Sequence, residues 1–316
     1  MNYSRKIVDA AYKEFEDKRT KRNSLSARRL NEVYSLCPEI IKIDAELSTV
    51  GPKIMNAAML GKDGIAKRIE ALRDENLALQ KRRAQLLEGL GFDKDYTEPP
   101  YECDKCNDSG YIGTELCTCF KKTLIEKAYE ATGFTNLLKT QSFDNFKPDC
   151  SSEDVREKML FALKVARTYA DKFDEYKSNL LFIGGTGLGK THLSTAIAKQ
   201  LIDNGYNVVY ESAQTVFTDF ARDYYYPDKT YESLSDRYLT ADLLIIDDLG
   251  SEMITNHSRS ALYNIINTRI NKGLPIICST NYSAADLNRL YDERIFSRIF
   301  GEFKPIIFEG RDKRRK

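Results

Sequence analysis

A chain of 316 residues, 42% hydrophobic and 30% charged, has room for one large domain or two modest ones with a real core. The formal net charge of +1 says nothing about partners until it is localised along the chain. No run approaches the roughly eighteen apolar residues of a membrane span, and the N-terminal MNYSRKIVDAAYKEFEDKR lacks an apolar signal core, so a cytoplasmic protein is expected, without membrane contact or a disulfide framework.

Residues 2–90 are rich in Lys, Glu, Ala, Leu and Arg, a helical composition, and carry 18 Lys/Arg against 13 Asp/Glu. Such a basic excess attracts nucleic acid or an acidic partner, or solvates a helix face. Ile65, Ile69, Leu72, Leu79 and Leu86 form an apolar stripe interrupted by Asn76 and Arg83. That pattern suits a helix packed on one neighbour or in a partner groove better than a long coiled coil. GLGFDKDYTEPPY at 89–101 then breaks the helix with Gly and Pro.

CDKCNDSGYIGTELCTC follows, placing Cys103, Cys106, Cys117 and Cys119 in seventeen residues, whereas Cys37, Cys150 and Cys278 are scattered. Two close pairs joined by a loop with Gly110 and Gly113 suit a tetrahedral Cys₄ zinc site. A thioredoxin-like redox pair would want C-x-x-C at a helix N-terminus and would leave the second pair superfluous; plain free thiols remain a third reading. With few apolar residues around it, this region would draw folding energy from the metal. KKTLIEKAYEATG resumes helical spacing up to Gly133.

The sequence thus divides into a helical domain at 1–139 with the cysteine knuckle at 103–119, a linker at 140–154 where turn formers concentrate, and an α/β domain at 155–316. Strands are predicted at Leu180–Ile183, Val208–Tyr210, Leu243–Ile246, Ile276–Ser279 and Pro305–Phe308, in the continuous apolar runs that a parallel sheet requires. The C-terminus closes on Arg311, Asp312, Lys313, Arg314, Arg315 and Lys316.

GGTGLGKT matches G-x-x-x-x-G-K-[ST] and lies between a strand and a helix, as a phosphate-binding loop must. Gly184, Gly185, Thr186, Gly187, Leu188 and Gly189 would turn backbone N–H groups to the phosphates of ATP. Lys190 would reach the β and γ phosphates, Thr191 would ligate Mg²⁺, and His192, next in the helix, is counted with them as a nucleotide-binding residue. LLIIDDLG ends a buried strand on Asp247, the second magnesium ligand, and on Asp248, placed to orient water. Asp is one methylene shorter than Glu, so slow hydrolysis is expected. ICSTN puts Asn281 at another strand end, where it would sit between γ-phosphate and water. Arg294 and Arg298 lie four apart on one helix, either as arginines offered to a neighbour's γ-phosphate or as surface residues paired with local carboxylates. Between the second strand and LLIIDD, Phe217 and Phe220 have core-like helical spacing, whereas Arg222, Tyr224, Tyr225, Tyr226 and Lys229 mix cations with rings in the manner of single-strand binders.

The order GGTGLGKTHL, LLIIDDLG, STN, ERIFSRI, preceded by helices and C-x₂-C…C-x-C, resembles the bacterial replicative helicase loaders of the DnaC/DnaI type, within the AAA+ ATPases. The resemblance spans the whole chain and is strongest from about 140 to 316. It implies an AAA+ P-loop domain without a full helical lid, with Lys190 and Thr191 as Walker A, Asp247 and Asp248 as Walker B and Asn281 as sensor 1. It further implies Arg298 as the finger acting in trans and Arg314 as sensor 2. Its implied partners are a DnaB-type hexameric helicase engaged by the N-terminal domain, single-stranded DNA contacted through Arg222 and Tyr224, and further copies of the chain in an ATP-dependent spiral. IstB-type transposition helpers resemble the same C-terminal half, and a non-hydrolysing nucleotide-gated DNA-binding adaptor is the alternative from another class. The cysteine cluster and the long helical arm favour the loader.

Overall fold

The computed structural model describes residues 3–59, 65–148, 151–226 and 233–312, the side chains of 56–59 and 65–67 excepted. Arg314, Lys229, Cys150 and the Ile65 side chain therefore lie outside the described set. The chain forms two compact units, one of Tyr12–Phe120 and one of Met1–Ala11 with Lys121–Lys316. The sequence reading places its boundary later, at 139; the difference arises because α4 (Thr118–Glu130) and α5 (Thr135–Thr140) bury Leu124, Ala128, Tyr129 and Leu138, and the unit that holds the sheet takes in residues 121–140.

The Tyr12–Phe120 unit contains most of α1 (Arg5–Leu36), then α2 (Pro38–Met59), α3 (Ile65–Gly89) and a hairpin of β1 (Tyr111–Ile112) and β2 (Glu115–Leu116). Pro38 opens α2 at the position where a missing N–H costs nothing, with acidic Glu39 in the first turn. Val33, Ile40 and Leu87 are wholly buried together, and Arg83 of α3 reaches Asp44 of α2 at 2.6 Å. The predicted stripe is only half-buried at Ile69, Leu72, Leu79 and Leu86. Arg83 interrupts it because that position serves the ion pair to α2.

In the other unit, α6 (Glu153–Asp171) leads into β3 (Asn179–Ile183), α7 (Lys190–Asp203), β4 (Val208–Ser212), α8 (Ala213–Tyr225), α9 (Asp236–Thr240), β5 (Leu243–Asp247) and α10 (Asn256–Asn271). Next come β6 (Ile276–Thr280), α11 (Ala284–Leu290), α12 (Glu293–Glu302) and β7 (Phe303–Ile307). All five predicted strands are present, in the order β4-β5-β6-β3-β7, and every pairing is parallel. β5 and β6 are buried at every position, which is why they begin with the apolar runs LLII and IIC before their polar ends at Asp247, Ser279 and Thr280. β7 lies at an edge, where Pro305 is tolerated without its N–H. The register pairs Ile183 with Thr280 and Ser212 with Asp247, so the loops after β3, β5 and β6 all emerge at one end of the sheet. That carboxyl end is where open α/β sheets bind ligands. None of the described helices is long and apolar enough to cross a membrane.

Candidate functional site: a phosphate loop and a four-cysteine knuckle

Between β3 and α7 the chain curls through Gly187 at φ +74° and Gly189 at φ +100°. At Gly187 the left-handed φ disfavours a side chain, and an added Cβ would meet the Asp312 carboxylate, which would have to move aside. Lys190 begins α7, nearly buried, and its ammonium donates to the carbonyls of Gly184 at 2.6 Å and Gly185 at 2.7 Å and to Asn281 Oδ1 at 2.8 Å. Asn281 in turn donates from Nδ2 to Asp248 Oδ1 at 3.0 Å. The predicted loop lysine, sensor asparagine and second strand-end carboxylate thus form one connected chain of polar contacts.

Thr191 Oγ1 donates to Asp247 Oδ2 at 3.1 Å. Adjacent oxygens of an octahedral magnesium shell with bonds near 2.1 Å stand about 3.0 Å apart, so these two oxygens fit one cation. Burial pushes the Asp247 carboxyl above its ordinary range; the Ser279 hydroxyl opposes this and the Asp248 charge reinforces it. Tyr210 also donates to Asp247 Oδ2, at 3.3 Å. Asp248 is exposed and held at φ +56°, with its N–H on Ser279 Oγ at 3.0 Å.

A cleft of about 350 Å³ opens on this loop. One wall is the loop itself with Asp248 and Asn281; the other is Leu137, Gln141, Asn145, Phe146 and Lys147. His192 also lines the cleft; its Nε2 meets the Ser142 carbonyl at 2.9 Å and its ring packs edge-to-face with Phe146. It therefore anchors the wall. The segment read as a linker is packed here, with Phe143 and Phe146 buried. The paired aromatics of SFDNF were the signal that could have found it. Nothing in the sequence distinguished Ser279 or Tyr210 from other core-strand residues.

The four clustered cysteines lie in the other unit, with sulfurs all within 4.8 Å of one another; Cys103 and Cys117 are 3.9 Å apart, Cys106 and Cys119 3.4 Å. A tetrahedron with bonds near 2.3 Å to zinc has edges of about 3.8 Å, so the donor set fits that ion. Asp108, 3% exposed, holds the first turn by accepting from the backbone N–H groups of Glu102 and Cys103. Gly110 takes φ +82° where a Cβ would press within 2.9 Å of the Phe120 ring. Phe120 packs on Tyr12 and Phe15 of α1, so the knuckle is joined to a long helix through aromatic contacts.

Residues 136–299 match the family described as IstB-like ATP binding protein. The chain belongs to the IstB/DnaC family of AAA+ ATPases. It is 27% identical over 246 residues to the phage-like element PBSX protein XkdC of Bacillus subtilis (strain 168), a match covering 73% of this chain and 89% of that protein. It is 25% identical over 185 residues to the replicative helicase loader DnaC of Escherichia coli (strain K12), covering 58% and 73%. A crystal structure of the DnaC helicase loader aligns with a TM-score of 0.48 at 24% identity, over 54% of this chain and 98% of that one.

An IstB/DnaC-family ATPase takes ATP with Mg²⁺, and the loop from Gly184 to Thr191 is where this chain has the geometry to hold them. Two predicted groups stand apart from that cleft on α8 and α12. Arg222 and Tyr224 are exposed on α8, whose buried face carries Val216, Phe217 and Phe220. Tyr224 packs with Tyr225 and His257, ring centroids 5.0 and 5.3 Å away. Arg294 and Arg298 are exposed on α12, opposite buried Ile295 and Ile299. Arg298 lies 3.6 Å from Glu302, whereas Asp292 caps the helix through the Ile295 N–H.

Proposed function

We propose that this AAA+ ATPase is an ATP-switched loader that places a DnaB-type hexameric helicase on single-stranded DNA. The observation that carries this reading is the pairing of a complete phosphate-loop cleft in one compact unit with a four-thiol knuckle braced on long helices in another. A motor alone needs only the first. The relatives named as replicative helicase loaders support the same reading.

In this scheme the loop N–H groups and Lys190 hold the phosphates, and Thr191 with Asp247 holds Mg²⁺, which when bound supplies charge neutralisation at the phosphate oxygens. Asp248, fixed through Asn281, orients the attacking water, and Arg298 of a neighbouring copy meets the transition-state charge. Hydrolysis is slow and acts as a timer for release. The sulfurs of Cys103, Cys106, Cys117 and Cys119 hold one zinc that braces the helicase-binding helices. Because the family match covers 136–299 and so the motor alone, an IstB-like transposition helper is the second reading.

A pull-down with the host's replicative helicase, with and without ATP, tests the choice. An ATP-sensitive complex is expected; its absence, with capture of a transposase instead, would favour the helper. On the DNA side, Arg222→Ala with Tyr224→Ala is expected to weaken single-strand binding at low salt by about 10-fold or more, since one stacked base is worth about 1–3 kcal/mol. Unchanged fluorescence anisotropy would remove that assignment.

A further inference from the structure

Glu252 follows the strand-end carboxylates by a single tight turn, yet its side chain is 6% exposed. Among the described residues it pairs with no Lys or Arg. A buried carboxylate without a cation is expensive, and an apolar residue of similar size would be the more stable choice. Its two oxygens are instead used as acceptors on two different elements. Oε2 takes the Gly250 N–H at 2.8 Å, inside the turn that Asp248 begins, and Oε1 takes the Tyr291 hydroxyl. Tyr291 is itself buried and stands between α11 and α12.

Each end of that bridge leads to a group with a proposed role in hydrolysis. On one side, the Leu249 N–H bonds the Ser279 carbonyl at 2.7 Å, and Thr280 Oγ1 donates to the Leu249 carbonyl at 2.7 Å, so the turn is continuous with β6 and Asn281. On the other side, Tyr291 immediately precedes Asp292, the cap of α12, and α12 carries Arg298 two turns further on. The C-terminal end of α12 runs directly into β7, and its inner face is located by Ile295, Phe296, Ile299 and Phe300 against the core; at its N-terminal end the Tyr291 hydroxyl adds a polar tie to the turn after Asp248.

We propose that Glu252 is a positioning residue for ATP hydrolysis, tying the turn after Asp248 to the start of the arginine-bearing helix α12 through the Gly250 N–H and the Tyr291 hydroxyl. Loss of the tie leaves nucleotide binding intact and misplaces Arg298 relative to the neighbouring copy's phosphate. This rests on the reading of Arg298 as a finger in trans.

The test is steady-state ATP turnover, with single-stranded DNA present, of the full chain carrying Tyr291→Phe, Arg298→Ala or both, alongside ATP affinity and thermal melting. Tyr291→Phe keeps the ring and removes only the hydroxyl. It is expected to lower kcat about 10-fold with ATP affinity changed less than about 2-fold, and to cause no further loss once Arg298 is Ala. Glu252→Gln, which can accept from Gly250 and donate to the Tyr291 oxygen, is expected to retain most of the turnover, whereas Glu252→Leu is not. Multiplicative losses in the double variant, or wild-type kcat in a folded Tyr291→Phe protein, would overturn the tie. If Tyr291→Phe does not fold, Glu252→Leu takes its place in the same comparison. A wild-type chain without turnover would instead sink the ATPase timer, and a neutral Arg298→Ala would sink the finger and with it the route through α12.

Discussion

Lys190→Ala is expected to lower ATP turnover by about 10²–10³-fold and to weaken ATP binding by about 10- to 100-fold. The first figure is the usual consequence of removing one preorganised donor from developing phosphoryl charge. The second is that of losing a charge-assisted hydrogen bond worth about 1.5–3 kcal/mol. The effect is large because Lys190 is nearly buried and its ammonium already lies at the loop, on the Gly184 and Gly185 carbonyls and Asn281 Oδ1, contacts that it would exchange for phosphate oxygens. Asn281 loses its partner as well, so the amide that holds the Asp248 side chain is itself less well placed, while the Asp248 N–H keeps Ser279 Oγ. Single-turnover hydrolysis and titration with a fluorescent nucleotide would measure both losses. A variant that hydrolyses within about threefold of wild type would move the phosphate contact away from this residue.

Changing Cys103 and Cys106 to Ser together is expected to take zinc from about one per chain to none by metal analysis, and to unfold the knuckle. Structural zinc contributes about 10–16 kcal/mol of apparent binding free energy to small domains, more than the buried residues around this one can replace. Cys106 and Cys117 are buried, and the nearby core consists chiefly of the Phe15 and Phe120 rings. Helicase binding should fail first, since the four thiols lie in the Tyr12–Phe120 unit. ATP binding should persist, because Lys190, Asp247 and Asn281 belong to the other. Loss of both together, or full helicase binding without metal, would overturn the brace.

The motor was legible because its chemistry is local. GGTGLGKT, LLIIDD and ICSTN each announce a strand and its functional end within a few residues, and the five strands appear where those runs lie. What escaped was set by tertiary proximity. Ser279 and Tyr210 meet Asp247 only because β4, β5 and β6 are neighbours, and no spacing along the chain encodes that. SFDNF looked like a linker because Ser, Asp and Asn dominate its count, although both its phenylalanines are buried and Phe146 lines the cleft. Glu252 was invisible for the opposite reason, since a Glu after a turn is ordinarily solvated. On α3 the half-buried stripe was readable, but Leu87, which is wholly buried, falls outside it.

Asp248 occupies a left-handed backbone conformation, at φ +56°. Asp and Asn enter that region several-fold more readily than longer side chains do. Between them only Asp brings a negative charge, so this turn admits few residues that can both keep its shape and activate water. On the proposed water-orienting role of Asp248, the bend of the chain and the length of the acidic side chain are therefore one constraint, since a Glu here would carry more backbone strain than the Asp it replaced.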